Sequence, residues 1–199
     1  MVRRKVDVRR EEILAAAVDE VESRGFAATR VADVADALGV SPALVFYHFE
    51  TKDKLLAAAL QHAVERDLAR LDATVARGRT PVDKVRGILR LYAPQGSAPG
   101  WTLWVDAWAE ALRSKEMRDV TRELDHRWKE ALAIAIRAGN TDKTFRCADP
   151  DAAAWRLTAL LDGLAVQVTV NRNLTRAQLS RWVRQSAAFE LGVSAELLA

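Results

Sequence analysis

The sequence predicts an all-α protein: a small N-terminal helix-turn-helix unit of three helices, joined by a long helix to a larger helical bundle. Three observations predict it. Apolar residues recur at helical spacing along nearly the whole chain. Ser, Thr, Asp and Pro mark helix starts, and Gly marks helix stops. No stretch alternates apolar and polar residues as a half-buried strand does. We place the first domain at residues 1–55 and the second at 56–199.

The elements follow in order. Val8 to Arg24 sets Ile13, Leu14, Ala17, Val18 and Val21 on one helical face, and Gly25 stops it. Thr29 is positioned to cap a short helix holding Val31, Val34, Ala35 and Leu38, closed by Gly39. Ser41 caps the next, with Pro42 at the first helical position, where a missing N–H costs nothing. Thr51 caps a long helix over Lys52 to Val75. Thr80 and Pro81 open another, with Asp83 three residues past the cap. Residues 93–100, "APQGSAPG", form a loop. Helices then run from Trp101 to Arg113 and from Ser114 to Ala138. A second loop leads to Asp149 and Pro150, which open an apolar helix to Val170. Thr175 and Gln178 have capping-box spacing at the start of the last main helix, to Leu191.

The bulk numbers bound the function. A single cysteine, Cys147, excludes an internal disulfide framework and a cysteine-rich metal site. No apolar run follows the basic N-terminus as in a signal peptide, and no stretch has the length of a membrane span. The expected location is the cytoplasm. Three scattered histidines, His48, His62 and His126, form no metal-spaced cluster. There is no Gly-rich phosphate loop and no nucleophile with an evident base, so neither an enzyme nor a cofactor is expected. The net charge of +3 says little by itself. Its placement says more: Arg3, Arg4, Lys5, Arg9 and Arg10 crowd the first ten positions against Asp7 alone. They form either a solvated tail or a basic arm lying along nucleic-acid phosphates.

The stretch "GVSPALVFYHFETKDKLL", residues 39–56, carries the strongest signal. Two short helices separated by a glycine-bearing turn have helix-turn-helix punctuation. Val45 and Phe49 lie four apart and face the core with Val34, Leu38 and Val40. Pro42, Ala43, Leu44, Tyr47 and His48 are left on or near the other side. Phe46 fits either side.

Residues 29–56 resemble the DNA-binding domain of the TetR family of transcriptional repressors, and the resemblance extends over about residues 8 to 60. The match rests on Gly39, Val40 and Ser41, on Phe46, Tyr47, His48 and Phe49, and on Lys52. The helix before it, with Ile13 and Ala16, fits too. The resemblance implies that Tyr47, His48 and Lys52 hold phosphates, as do Thr29 and Arg30 at the start of the second helix. Such contacts set register and affinity rather than sequence. The residues at the start of the third helix, Ser41, Pro42, Ala43 and Leu44, would meet base edges in the major groove. This chain departs from the pattern at Ala32, where several relatives are basic, and at the apolar Pro42, Ala43 and Leu44. Contact with thymine methyls is therefore expected, aided by DNA shape and by the arm of Arg3, Arg4 and Lys5.

The bundle offers two further features. The helix from Pro150 is apolar on most faces, so it needs either a very enclosed position or a partner subunit. The family usually pairs through its last two long helices. That places Leu157, Leu161, Leu164 and Val168, with Trp182 and Phe189, at a homodimer interface, and implies a palindromic DNA operator. All six tryptophans lie after residue 100. Trp101, Trp104 and Trp108 share a helix with Asp106, and Trp128 and Trp155 sit in neighbouring helices. Such a stripe is either plain core or the lining of a small-molecule effector pocket, apolar or cationic, with Asp106 or Asp162 as counter-charge. The segment resembles the branch of the family that includes choline-responsive regulators. The expected protein is a ligand-responsive repressor. The alternatives are a DNA-binding protein without a ligand, an activator, or a helical enzyme.

Overall fold

The computed structural model describes the backbone of residues 2–94 and 99–199, and the side chains of residues 10–65, 67–94 and 100–199. Among them the elements are helical, with no strand. Two compact units emerge. The first holds residues 1–66 and 103–124, the second 67–102 and 125–199. This differs from a division at residue 55, because part of the sixth and seventh helices joins the N-terminal helices.

The first unit begins with α1 (Val2–Arg24), α2 (Val31–Leu38), α3 (Pro42–Phe49) and the start of α4 (Lys52–Arg77). Gly25 ends α1 at φ +82°, a backbone region that suits glycine. The expected cap of α2 is corrected. Arg30 holds the N-cap position, and the Asp33 carboxylate accepts its N–H at 2.9 Å. Thr29 is buried one residue earlier and donates its hydroxyl to the Gly25 carbonyl at 2.8 Å. At the other end of α2, Gly39 is left-handed. Its N–H reaches Asp36, and that of Val40 reaches Ala35. These two bonds satisfy carbonyls the helix end would otherwise leave bare. Ser41 then caps α3 by accepting the Leu44 N–H at 3.3 Å, and Thr51 caps α4 by accepting that of Lys54 at 3.1 Å.

Ile13, Leu14, Ala17, Val34, Ala35, Val45, Phe49 and Leu55 make the core of this small unit, with Val18, Leu38 and Val40 packed at its edge. Full burial of a side chain such as Val45 or Phe49 contributes about 1.5–3 kcal/mol. That is enough to fix an eight-residue helix too short to persist alone.

The remaining helices are α5 (Pro81–Tyr92), α6 (Pro99–Ala111), α7 (Lys115–Thr141), α8 (Pro150–Thr169) and α9 (Arg176–Leu191), followed by a 3₁₀ turn over Ala195–Leu198. Helices α4, α6 and α7 each contribute residues to both units. Three caps in the second unit are those the sequence announces. Thr80 and Asp83 exchange bonds at 3.1 and 3.2 Å, Asp149 accepts the Ala152 N–H at 3.0 Å, and Thr175 accepts that of Gln178 at 3.2 Å. Ala153, Ala154, Leu157, Leu161 and Ala165 of α8 are buried in this unit.

Candidate functional site

The outer face of α3 is the first candidate. Its two core positions belong to Val45 and Phe49, which leaves Phe46 on the outside at 44% exposure. Ser41, Pro42, Ala43 and Tyr47 are exposed as well, and Leu44 and His48 are half-buried. The Tyr47 ring meets the His48 ring edge-on at 5.4 Å. A short helix therefore presents a continuous strip, apolar at its N-terminus and polar-tipped at its C-terminus. The Lys52 ammonium donates to the Ala27 carbonyl at 3.2 Å, which ties the start of α4 to the turn before α2. Arg30 is exposed at the start of α2. Thr29 is not available on this face, because its hydroxyl is spent inside. The side chains of Arg3, Arg4 and Lys5 lie outside the described residues.

One bond inside the first unit has no counterpart in the sequence reading. Asp106 of α6 accepts the Phe26 N–H at 2.7 Å. Phe26 lies in the turn between α1 and α2, a segment whose N–H groups no helix satisfies. A Cβ at Gly25 would stand 2.9 Å from the same carboxylate oxygen, so the missing side chain makes room for it. Asp106 is thus occupied as a tether. Trp104 and Trp108 of α6 also belong to this unit, half-buried, with ring centroids 6.0 Å apart.

A second cluster forms in the other unit from four helices. Tyr92 ends α5, Trp101 lies near the start of α6, Trp128 in α7 and Asp162 in α8. The Tyr92 ring meets Trp101 edge-on at 5.7 Å and Trp128 at 5.0 Å. Its hydroxyl donates to Asp162 Oδ1 at 2.7 Å, and Trp101 Nε1 donates to the Tyr92 carbonyl at 3.0 Å. Trp101 and Trp128 are buried. Burial pushes the Asp162 carboxyl up to about 6, and the charge of Asp125 adds to this; the Tyr92 hydroxyl and Lys129 pull it the other way. The Tyr92 phenol is raised strongly, first by burial and then by the Asp162 charge. A half-buried carboxylate bonded to one of three packed aromatic side chains is the chemistry that receives an organic cation.

Trp155 lies on α8, two turns before Asp162. It is 60% exposed, and its ring covers the buried Lys129 ammonium at 3.5 Å. Lys129 in turn pairs with Asp125. Of the seven expected effector residues, Trp101, Trp128 and Asp162 come together. Trp104, Trp108 and Asp106 belong to the first unit, and Trp155 stacks on Lys129. Tyr92 was missed. The nine-residue interval to Trp101 spans a loop, and nothing in helical spacing links them.

The expected pairing residues also divide. Leu157 and Leu161 are buried within this chain, so they face its own core rather than solvent. Leu164 and Val168 are half-buried. Trp182 is exposed and Phe189 is 88% exposed, on a face of α9 that Gln185 shares. Arg156 of α8 grips Glu190 of α9 through two bonds, at 2.6 and 2.5 Å. Ala159 and Gly163 are exposed on α8.

A capped helix pair with a polar-edged outer strip, followed by a helical unit holding a half-buried carboxylate beside packed aromatic rings, defines a helix-turn-helix transcriptional regulator. Residues 13–59 match the model of the tetR family of bacterial regulatory proteins, and residues 81–192 match that of the C-terminal domain of BetI-type transcriptional repressors. The chain belongs to the TetR family, with a BetI-type C-terminal domain. It is 28% identical over 163 residues to the HTH-type transcriptional regulator BetI of Brucella anthropi, a match covering 80% of this chain and 81% of that one. A transcriptional regulator of Saccharomonospora viridis, solved in complex with choline, superposes with a TM-score of 0.78 at 29% identity, over 90% of this chain and 95% of that one. A TetR-family regulator from a Rhodococcus species gives 0.77 at 26% identity, over 94% and 98%. These relatives are regulators, not enzymes, and TetR regulators bind DNA operators, typically as dimers. Among the described residues no helix is long and apolar enough to cross a membrane.

Proposed function

We propose that the chain is a ligand-responsive repressor. It binds a palindromic operator as a dimer in the cytoplasm and leaves it when a quaternary-ammonium molecule such as choline enters the cluster of Tyr92, Trp101, Trp128 and Asp162. The single observation that carries this is the half-buried Asp162 carboxylate, which accepts from the Tyr92 hydroxyl beside the indoles and is raised by burial to about 6. The choline complex of the Saccharomonospora viridis relative supports the same ligand class.

Pairing runs through α8 and α9. Trp182 and Phe189 bring apolar area, and Ala159 and Gly163 let a partner helix approach closely. The α3 strip enters the major groove with Pro42, Ala43, Leu44 and Phe46 toward the bases. Tyr47, His48, Lys52 and Arg30 grip phosphates.

Coupling follows one helix. Trp101 and Asp106 lie five residues apart on α6, one in the aromatic cluster and the other bonded to Phe26. A ligand that binds one setting of α6 better than another shifts the setting of the turn before α2.

The test is an electrophoretic shift on the DNA preceding the protein's own gene, with and without choline. Choline releases the DNA, and 3,3-dimethylbutan-1-ol, which has carbon in place of the charged nitrogen, does not. Equal release by both compounds would remove the cationic reading. Release by neither favours a DNA-binding protein without this ligand.

A further inference from the structure

We propose that the second unit holds another ligand site, for an amphipathic anion: a carboxylate or phosphate head on a short hydrocarbon body. The site is a cavity of about 760 Å³ between the end of α4, α5, the first turns of α9 and the 3₁₀ turn. That volume falls within the range of small-molecule sites.

Five arginines line it: Arg77, Arg86, Arg90, Arg176 and Arg184. Asp83 is the one acidic side chain among its described lining residues; it accepts from the Thr80 N–H and from Arg86 at 2.9 Å, and Arg86 also donates to the Ala199 oxygen at 2.8 Å. Basic side chains therefore outnumber acidic groups along the lining. An ammonium compound is repelled here, so the cavity is no second seat for the cation of the aromatic cluster. Guanidinium groups present forked donors that match carboxylate and phosphate oxygens.

Two features narrow the ligand further. Arg184 has its Nε atom buried without a hydrogen-bond acceptor. Burying a donor unpaired costs about 1–3 kcal/mol, and an anion in the cavity would supply the missing acceptor. The floor is apolar: Leu89, Leu179, Val183 and Leu198 line the cavity and are buried. A bare inorganic ion leaves that floor uncovered, whereas a hydrocarbon body covers it.

The experiment is titration calorimetry on the full chain with octyl phosphate, octanoate and inorganic phosphate as probes. Octyl phosphate or octanoate binds at a single site per chain, and the tighter of the two identifies the head group. Inorganic phosphate binds at least tenfold more weakly. Arg184→Gln weakens the anion about tenfold or more, and saturating choline does not displace it. Thermal melting confirms that the variant folds, and Arg77→Gln at an exposed lining position gives a second, milder loss. The proposal is overturned if neither octyl compound binds at millimolar concentration, if both arginine variants bind like the wild type, if choline competes, or if inorganic phosphate binds equally well. Failure of choline to release the operator leaves this outcome unaffected, so the two readings stand or fall separately.

Discussion

The outer strip of α3 and the aromatic cluster of the second unit, the two recognition surfaces we propose, are built in opposite ways. The strip comes from one eight-residue helix whose register is fixed by a cap at Ser41 and by two anchors, Val45 and Phe49. The cluster draws a residue from each of four helices, at positions 92, 101, 128 and 162. Local recognition is held in place by local packing. Recognition assembled at long range depends on the whole bundle, and so a change in that bundle can be reported elsewhere.

The sharpest way to break this comparison is at Asp162. Removing one partner of a buried charge pair costs about 2–5 kcal/mol, so Asp162→Ala should weaken choline about 30-fold or more. Operator binding without ligand should stay within a few-fold of the wild type. Calorimetry with choline and an operator titration check the two halves. Parallel loss of both would mean that the cluster is a structural core and nothing more.

Val45 and Phe46 test the other region. Val45→Ala should lower stability by about 2 kcal/mol through lost burial and the cavity it leaves. Phe46→Ala should leave the melting temperature nearly unchanged and weaken operator binding. If Phe46→Ala destabilises as much as Val45→Ala, the strip is not an outer face.

The pH dependence of ligand binding sharpens the contrast further. The Asp162 carboxyl is raised to about 6, so it is ionised at pH 8 and largely neutral at pH 5. A cation needs the ionised form. Choline affinity should therefore fall about tenfold as pH drops from 8 to 5, and Asp162→Asn should abolish that dependence. The neutral alcohol analogue should show no comparable loss.

The smallest effect belongs to Thr29. Thr29→Val should cost about 1 kcal/mol of stability, the worth of one hydrogen bond, because the hydroxyl bonds the Gly25 carbonyl. It should leave operator affinity and its salt dependence alone. A several-fold loss of operator affinity with no loss of stability would restore Thr29 as a phosphate contact.

How much of this was legible follows from the same contrast. The caps at Ser41, Thr51, Thr80, Asp149 and Thr175 are one-residue signals, and each was readable in the chain. So was the split of α3 into anchors and strip, since helical spacing decides it. Phe46 was undecided until Val45 and Phe49 filled the core positions. Thr29 was misplaced because the helix starts one residue later, and the Thr29 hydroxyl turns inward to the Gly25 carbonyl. The tryptophan stripe misled through the same regularity that helped elsewhere. Trp101, Trp104 and Trp108 share helical spacing, but α6 divides between the two units, so the stripe is cut after its first member. Tyr92 was invisible because its partners lie 9, 36 and 70 residues away.

The bond from the Phe26 N–H to Asp106 carries a consequence for anyone exchanging parts between regulators of this kind. A graft cut behind α4 would transplant the DNA-reading helices without the carboxylate that completes their first turn, leaving a backbone donor bare beside a glycine shaped to admit its partner. The transferable cassette is discontinuous. It comprises residues 1–66 together with 103–124, and a chimera that respects that border should keep the melting behaviour of the parent, whereas one that follows the motif alone should not.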